Sequence, residues 1–232
     1  MKTDGGTRAP FTALLSGGLD STAALALERR AGVPALALFF DYGQKAAVRE
    51  EEAARAIARH FAVELQRIEL PWLGAASSSS LIAGRGEPPR ASRGDLDGEG
   101  PRAVWVENRN GIFIAIGAFM AAERGCERVV VGFNREEAAA FPDNSAEFLR
   151  RTNAALELGL RAPVRVESPT LMMTKREIVA RALELDLPWH LLWSCYRGGE
   201  AMCGECESCL RLARAVGGTA AAAKVRFGKE RA

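Results

Sequence analysis

Histidine is nearly absent, with two residues in 232, and both sit in bland contexts: His60 closes an amphipathic stretch and His190 follows Pro188-Trp189. Neither is assigned a role. Strong charge of one sign is also missing, since 31 Lys and Arg oppose 29 Asp and Glu for a net +2. That balance argues against a nucleic-acid-binding surface. No apolar run reaches membrane-spanning length, and no secretory h-region opens the chain, so a cytoplasmic protein with no membrane partner is expected. There is no G-x-x-x-x-G-K-[ST] and no G-x-G-x-x-G, which removes the P-loop and the dinucleotide fingerprint. Internal repeats are lacking too. At 48% hydrophobic and 26% charged residues the composition is that of an ordinary globular chain. A core of this size needs no disulfide framework.

Against those absences one string stands out, Ser16-Gly17-Gly18-Leu19-Asp20-Ser21. It follows an apolar run, Phe11–Leu15, and opens a helical stretch over 22–30. A strand, a glycine turn and a helix N-terminus together form an anion site. Unpaired N–H groups point outward there, and the helix dipole adds partial positive charge. Gly17 and Gly18 admit a phosphate to the backbone. Ser16 and Ser21 add hydroxyl donors, and Asp20 can orient a cation or cap the helix.

Strands are read at 11–15, 34–40, 62–69, 128–132 and 164–168. Helices are read at 22–30, 46–61, 110–124, 143–158 and 174–185, the last opened by a Thr174/Glu177 capping box. The alternation predicts an α/β fold with a doubly wound parallel sheet. Residues 1–10 are read as a disordered lead. Residues 74–102, rich in Ser, Gly, Pro and Arg, are read as a mobile loop. The division expected is an α/β domain over 1–187 and a small C-terminal zinc-binding helical segment over 188–232.

Four of the five cysteines fall in Cys195-x7-Cys203-x2-Cys206-x2-Cys209. Four thiolates so close, with Gly204 for the turn, suit a closed tetrahedral zinc site of structural role; an iron–sulfur cluster is the alternative. Four further groups fall at strand or helix ends. Asp41-Tyr42-Gly43-Gln44 follows the second strand, where open α/β sheets meet ligands. Arg109 can clamp a phosphate or carboxylate, and Asn110 can cap a helix or read a base edge. Phe141-Pro142-Asp143 offers a ring for a heterocycle and an acid for its N–H groups, or a plain helix cap. Lys175 opens a helix against its dipole and could neutralise an α phosphate, or sit exposed. The four tryptophans are read as packing.

The loop resembles the pyrophosphate loop of the N-type ATP pyrophosphatases. The whole set from about Phe11 to Ala215 (SGGLDS, DYGQ, V-x-x-R-N at Val106, FPD, the T-K helix start, WSCY at Trp193 and C-G-x-C-x-S-C) is similar to the 7-cyano-7-deazaguanine synthase family. The resemblance implies a Rossmann-like, adenine nucleotide alpha hydrolase-like fold. It implies a ligase that converts 7-carboxy-7-deazaguanine and ammonia to the nitrile, in queuosine biosynthesis, through adenylated acid and amide intermediates. It places ATP and Mg²⁺ at Ser16–Ser21 with Tyr42 and Gln44, and the acid at Arg109, Asn110, Glu137, Phe141 and Asp143. Asp20 and Lys175 become the catalytic pair, the four cysteines bind zinc, and the chain is a homodimer. Glu107, Glu137, Phe141 and Asn144 depart from the usual proline, aspartate, tyrosine and cysteine, and are read as a variant with the same activity. The competing readings are a related pyrophosphatase acting on another carboxylate, a tRNA sulfur-transfer enzyme, and a non-enzymatic zinc module. Sulfur relay lacks a second cysteine, since Cys126 stands alone outside the cluster.

Overall fold

The computed structural model describes residues 8–90, 100–185 and 187–228. Five strands form one all-parallel sheet in the order β3-β2-β1-β4-β5. They are β1 (Arg8–Leu14), β2 (Gly32–Asp41), β3 (Leu65–Glu69), β4 (Arg128–Val130) and β5 (Arg165–Glu167). The runs in β1 and β2 are apolar without alternation because helices cover both faces. Phe11, Ala13, Leu36, Leu38 and Phe39 are all buried.

The first helices are α1 (Leu19–Glu28), α2 (Ala47–His60), α3 (Pro71–Ala76), α4 (Gly100–Ala103) and α5 (Arg109–Glu123). They are followed by α6 (Arg135–Ala140), α7 (Ala146–Gly159), α8 (Lys175–Glu184) and α9 (Glu207–Val216). Among the described residues, no helix is long and apolar enough to cross a membrane.

Several boundaries differ from the sequence expectation. β1 begins at Arg8, so residues 8–10 of the expected lead belong to the strand instead, with Arg8 registered on Gly32 of β2. The rest of that lead lies outside the described residues. Three short helices went unread, α3, α4 and α6. Pro71 starts α3 at its first turn, and Asn134 caps α6 by accepting from the Glu137 N–H. α7 starts after Asp143, not at it, because Ser145 is the cap and accepts from Phe148 N at 3.1 Å. The Thr174/Glu177 capping box is formed as read.

Of the 74–102 segment, residues 91–99 lie outside the described residues. The described part is packed around residues 79–82 and exposed over residues 83–87. Leu81 and Ile82 are buried, Gln44 bridges Ile82, and the Ser80 hydroxyl donates to the Ala103 carbonyl at 2.8 Å.

The chain after Leu187 shares a core with the sheet. Trp189, Leu192, Cys195, Cys206, Cys209, Leu212 and Ala215 are buried in one cluster with Phe11, Ala13, Leu25 and Ile57. α9 packs on α8, and Arg214 of α9 pairs with Glu136 of α6 at 2.8 Å. The C-terminal segment therefore stands beside the carboxyl ends of the strands, where a parallel sheet with this order binds ligands.

Candidate active site and metal centre

Between β1 and α1 the chain turns through the glycine loop. Gly17 has φ +85°, and a Cβ there would lie 2.8 Å from that of Ala53. Gly18 is the N-cap of α1 and provides no side-chain cap, so the first-turn N–H groups keep their donor capacity for a ligand. Ser16 Oγ and Ser21 Oγ lie 3.1 Å apart across the loop. Trp193 N–H donates to the Gly17 carbonyl at 3.0 Å, which pins the loop to the C-terminal segment. Gly132, past the end of β4, backs the loop: a Cβ there would stand 2.5 Å from Ser21 N.

Asp20, in the first turn of α1, does not cap it. Its Oδ2 accepts from Lys175 Nζ at 2.5 Å, and the same ammonium reaches Glu137 Oε1 at 2.7 Å. Lys175 is buried, so the bland reading of an exposed lysine fails. Burial works against its charge, yet Asp20 and Glu137 hold its pKa above the ordinary lysine range. Burial would raise Glu137 too, but Lys175 lowers it. On Asp20 burial wins over Lys175, and the carboxyl is raised to about 6. Its second oxygen, Oδ1, is buried with no hydrogen-bond partner among the described residues. A carboxylate oxygen left so is suited to a cation.

At the end of β2, Gln44 is a strut. Its Oε1 accepts from Tyr42 N, and its Nε2 donates to the Phe40 carbonyl and to Glu50 Oε2. Its amide is committed to fixing the turn that presents Tyr42. Arg109 Nη1 donates to the Tyr42 hydroxyl at 2.9 Å, and its guanidinium lies over the Tyr42 ring. Asn108, not Asn110, is the N-cap of α5; Asn110 Nδ2 reaches the Asp143 carbonyl at 3.4 Å. Burial raises the Asp143 carboxyl, with Arg109 pulling the other way. Phe141 stacks on Trp105, centroids 5.5 Å apart and planes 17° from parallel.

A cavity of about 280 Å³ collects these groups. Every residue singled out for nucleotide, acid or catalysis lines it except Gly17. Sequence reasoning missed several of its walls: Trp105 and Trp193 were read as packing only, and Glu50, Glu207 and Arg211 were not weighed. A signal for Glu207 was present, an acidic residue between two closely spaced cysteines that starts an amphipathic helix. Trp72 departs from the packing reading in the other direction, being 56% exposed.

The four cysteines converge as the spacing suggests. Their sulfurs all lie within 4.8 Å of one another, and Cys203 Sγ is 3.9 Å from Cys209 Sγ. A zinc tetrahedron with metal–sulfur bonds of about 2.3 Å has edges of about 3.8 Å. Backbone N–H groups of Arg197 and Cys203 point at Cys195 Sγ, and those of Glu205 and Cys206 at Cys203 Sγ. Such donors stabilise thiolates. The set fits a metal ion with four protein ligands. None of the four sulfur-bearing residues lines the cavity, but Ser194, Tyr196, Glu207 and Ser208, which alternate with them, do.

The profile of a family described as queuosine biosynthesis protein QueC matches residues 11–219. The chain belongs to that family. A relative named 7-cyano-7-deazaguanine synthase from Pelotomaculum thermopropionicum is 49% identical over 207 residues, covering 87% of this chain and 94% of the relative. Another of that name from Methanosarcina mazei is 44% identical over 210 residues, covering 87% and 91%. Among solved structures, the U34-tRNA thiolase NcsA from Methanococcus maripaludis with its [4Fe-4S] cluster superposes with a TM-score of 0.50 at 14% identity. That match covers 78% of this chain and 59% of the thiolase, and shows the fold alone. Glu137, read from the sequence as a departure from the family pattern, pairs with Lys175 at 2.7 Å in this chain.

Proposed function

We propose that the chain is an ATP-dependent ligase that converts 7-carboxy-7-deazaguanine and ammonia to 7-cyano-7-deazaguanine, in queuosine biosynthesis. The observation that carries this is the single cavity. It joins an open anion-binding helix start to a buried lysine between two carboxylates and to an aromatic, arginine-bearing end that suits a planar acid.

A carboxylate does not react with ammonia until its oxygen becomes a leaving group. In the proposed sequence the loop N–H groups and the Ser16 and Ser21 hydroxyls hold the β and γ phosphates of ATP. Tyr42, fixed by the Gln44 turn, lies beside the nucleotide. Arg109 and Asn110 orient the acid, with Phe141 against its ring and Asp143 accepting an N–H. An acid oxygen then attacks the α phosphate, and pyrophosphate leaves. Lys175 stabilises the charge that builds there, and Asp20 Oδ1 would hold Mg²⁺, which when bound would supply further charge neutralisation. Ammonia displaces AMP to give the amide. A second ATP activates the amide oxygen at the same site, and loss of AMP leaves the nitrile.

Cys195, Cys203, Cys206 and Cys209 would hold zinc, which would supply no catalytic chemistry with four protein thiolates bound and would fix the wall formed by residues 193–212. A cytoplasmic homodimer remains part of the proposal. Four sulfurs within 4.8 Å of one another, close enough for a single ion, and a buried Cys126 outside that cluster favour this ligase over sulfur transfer. Incubation with the acid, ammonium and Mg-ATP, followed by mass analysis, should give nitrile and AMP. ATP consumption without any amide or nitrile would overturn the assignment.

A further inference from the structure

α9 begins directly after the metal ligand Cys206, and its first residue is an acid facing inward. Glu207 is 6% exposed. Its Oε1 accepts from Arg211 Nε at 2.9 Å, an i,i+4 pair with Arg211 only 3% exposed. Its Oε2 is buried and, among the described residues, has no hydrogen-bond partner. A buried carboxylate oxygen without a donor is costly, and sites keep such atoms where a ligand supplies the donor. Both residues line the cavity that holds the candidate acid site. Tyr196 lines the same cavity and feels the charges of Glu207, Glu137 and Arg109, so Glu207 stands between the Lys175 cluster and the arginine proposed to orient the acid.

A deazaguanine carries N–H donors on two edges, the amino-pyrimidinone edge and the pyrrole edge. It therefore needs two acceptors. The other carboxylates of the cavity differ in their commitments. Asp20 and Glu137 are held by Lys175, with the second oxygen of Asp20 given to a cation, and Glu50 is held by Gln44. Asp143, already proposed for one edge, leaves the second unread. Resting on the ligase proposal above, we infer that Glu207 Oε2 is this second acceptor, a specificity-determining contact to a heterocycle N–H. The metal loop positions it: Cys206 and Cys209 flank Glu207 and Ser208, so the thiolate site sets where the carboxylate stands.

The test is a cycle between residue and ligand on the metal-loaded full chain. Affinity is measured by calorimetry, with a non-hydrolysable ATP analogue present, for three ligands: 7-carboxy-7-deazaguanine, its analogue lacking the 2-amino group, and its N9-methyl analogue. The wild type should bind at least one analogue about 10- to 100-fold more weakly than the parent. In Glu207→Gln, which replaces the acceptor by a donor at constant shape, one of those penalties should disappear while ATP affinity and metal content stay unchanged. Equal penalties in variant and wild type would overturn the inference. So would intact acid affinity with a raised KM for ammonium, which would make Glu207 an ammonium contact. If Glu207→Gln loses metal, the same cycle is run on Glu207→Asp, where the shortened reach should shrink the same penalty; an unchanged penalty there overturns the inference. Nitrile formation by the wild type is recorded in parallel, so failure of the ligase assignment is seen separately from failure at Glu207.

Discussion

Replacing Lys175 by methionine tests the most charged contact of the site. Methionine keeps the length of the side chain and removes its ammonium. Asp20 and Glu137 are then left facing each other, with side chains 16% and 26% exposed and no cation between them. Breaking a buried pair by removing one partner costs about 3–5 kcal/mol. For a chain of this size that is a fall in Tm of roughly 6–20 °C. The loss should also depend on pH in a defined direction. Without Lys175, two adjacent carboxylates retain a shared proton above the ordinary carboxylate range, so the native variant binds more protons than its unfolded chain. Its stability then falls as pH rises, by up to about 1.4 kcal/mol per pH unit for one proton. Wild-type Asp20, raised to about 6, contributes a slope of the same sign only below that pH. The gap between wild type and variant should therefore widen from pH 6 to pH 8, by up to about 2.7 kcal/mol. Urea denaturation without nucleotide or Mg²⁺ reads it directly. A deficit under about 1 kcal/mol, or one that stays flat over that range, would refute the ion-pair assignment.

Three further outcomes follow from the same geometry. Activity should fall as pH drops through about 6, because Asp20 takes up a proton there and releases its hold on cation and lysine; a kcat/KM profile still level at pH 5 would contradict this. Cys206→Ser should lose bound metal, measured by mass spectrometry of the element, together with stability and acid binding, since the metal loop carries a cavity wall; a variant that keeps a full equivalent of metal would count against four-thiolate ligation. Gly132→Ala puts a Cβ 2.5 Å from Ser21 N and should weaken ATP binding roughly tenfold or more while metal content is unchanged. Unaltered ATP affinity would mean that the loop does not depend on that contact.

The order of elements was legible because apolar runs and capping signals are local. Phe11–Leu15 and Pro34–Phe40 could only be strands covered on both faces, and Thr174 with Glu177 announced the start of α8. Short elements were not legible. α6 depends on Asn134, whose cap is visible only once the end of β4 is known. Asp143 looked like a cap as good as Ser145, and tertiary packing decided between them. The cysteine spacing gave the thiolate cluster, since four ligands in a short loop have few ways to be far apart. Lys175 was singled out for standing against a helix dipole, but its partners are 155 and 38 positions away in the chain and no local pattern could pair them. Glu207 was missed for a related reason. An acidic residue in a charged segment reads as solvated until the helix is seen to turn it inward.

The central claim is that both oxygens of one carboxylate leave on AMP. Acid labelled with oxygen-18 at both carboxylate positions, turned over with ammonium and Mg-ATP, tests this in one mass spectrum. Each nitrile formed should be matched by two AMP molecules, each carrying a single labelled oxygen on its phosphate. Nitrile formed with unlabelled AMP, or with label passing to inorganic phosphate and ADP, would contradict attack at the α phosphate.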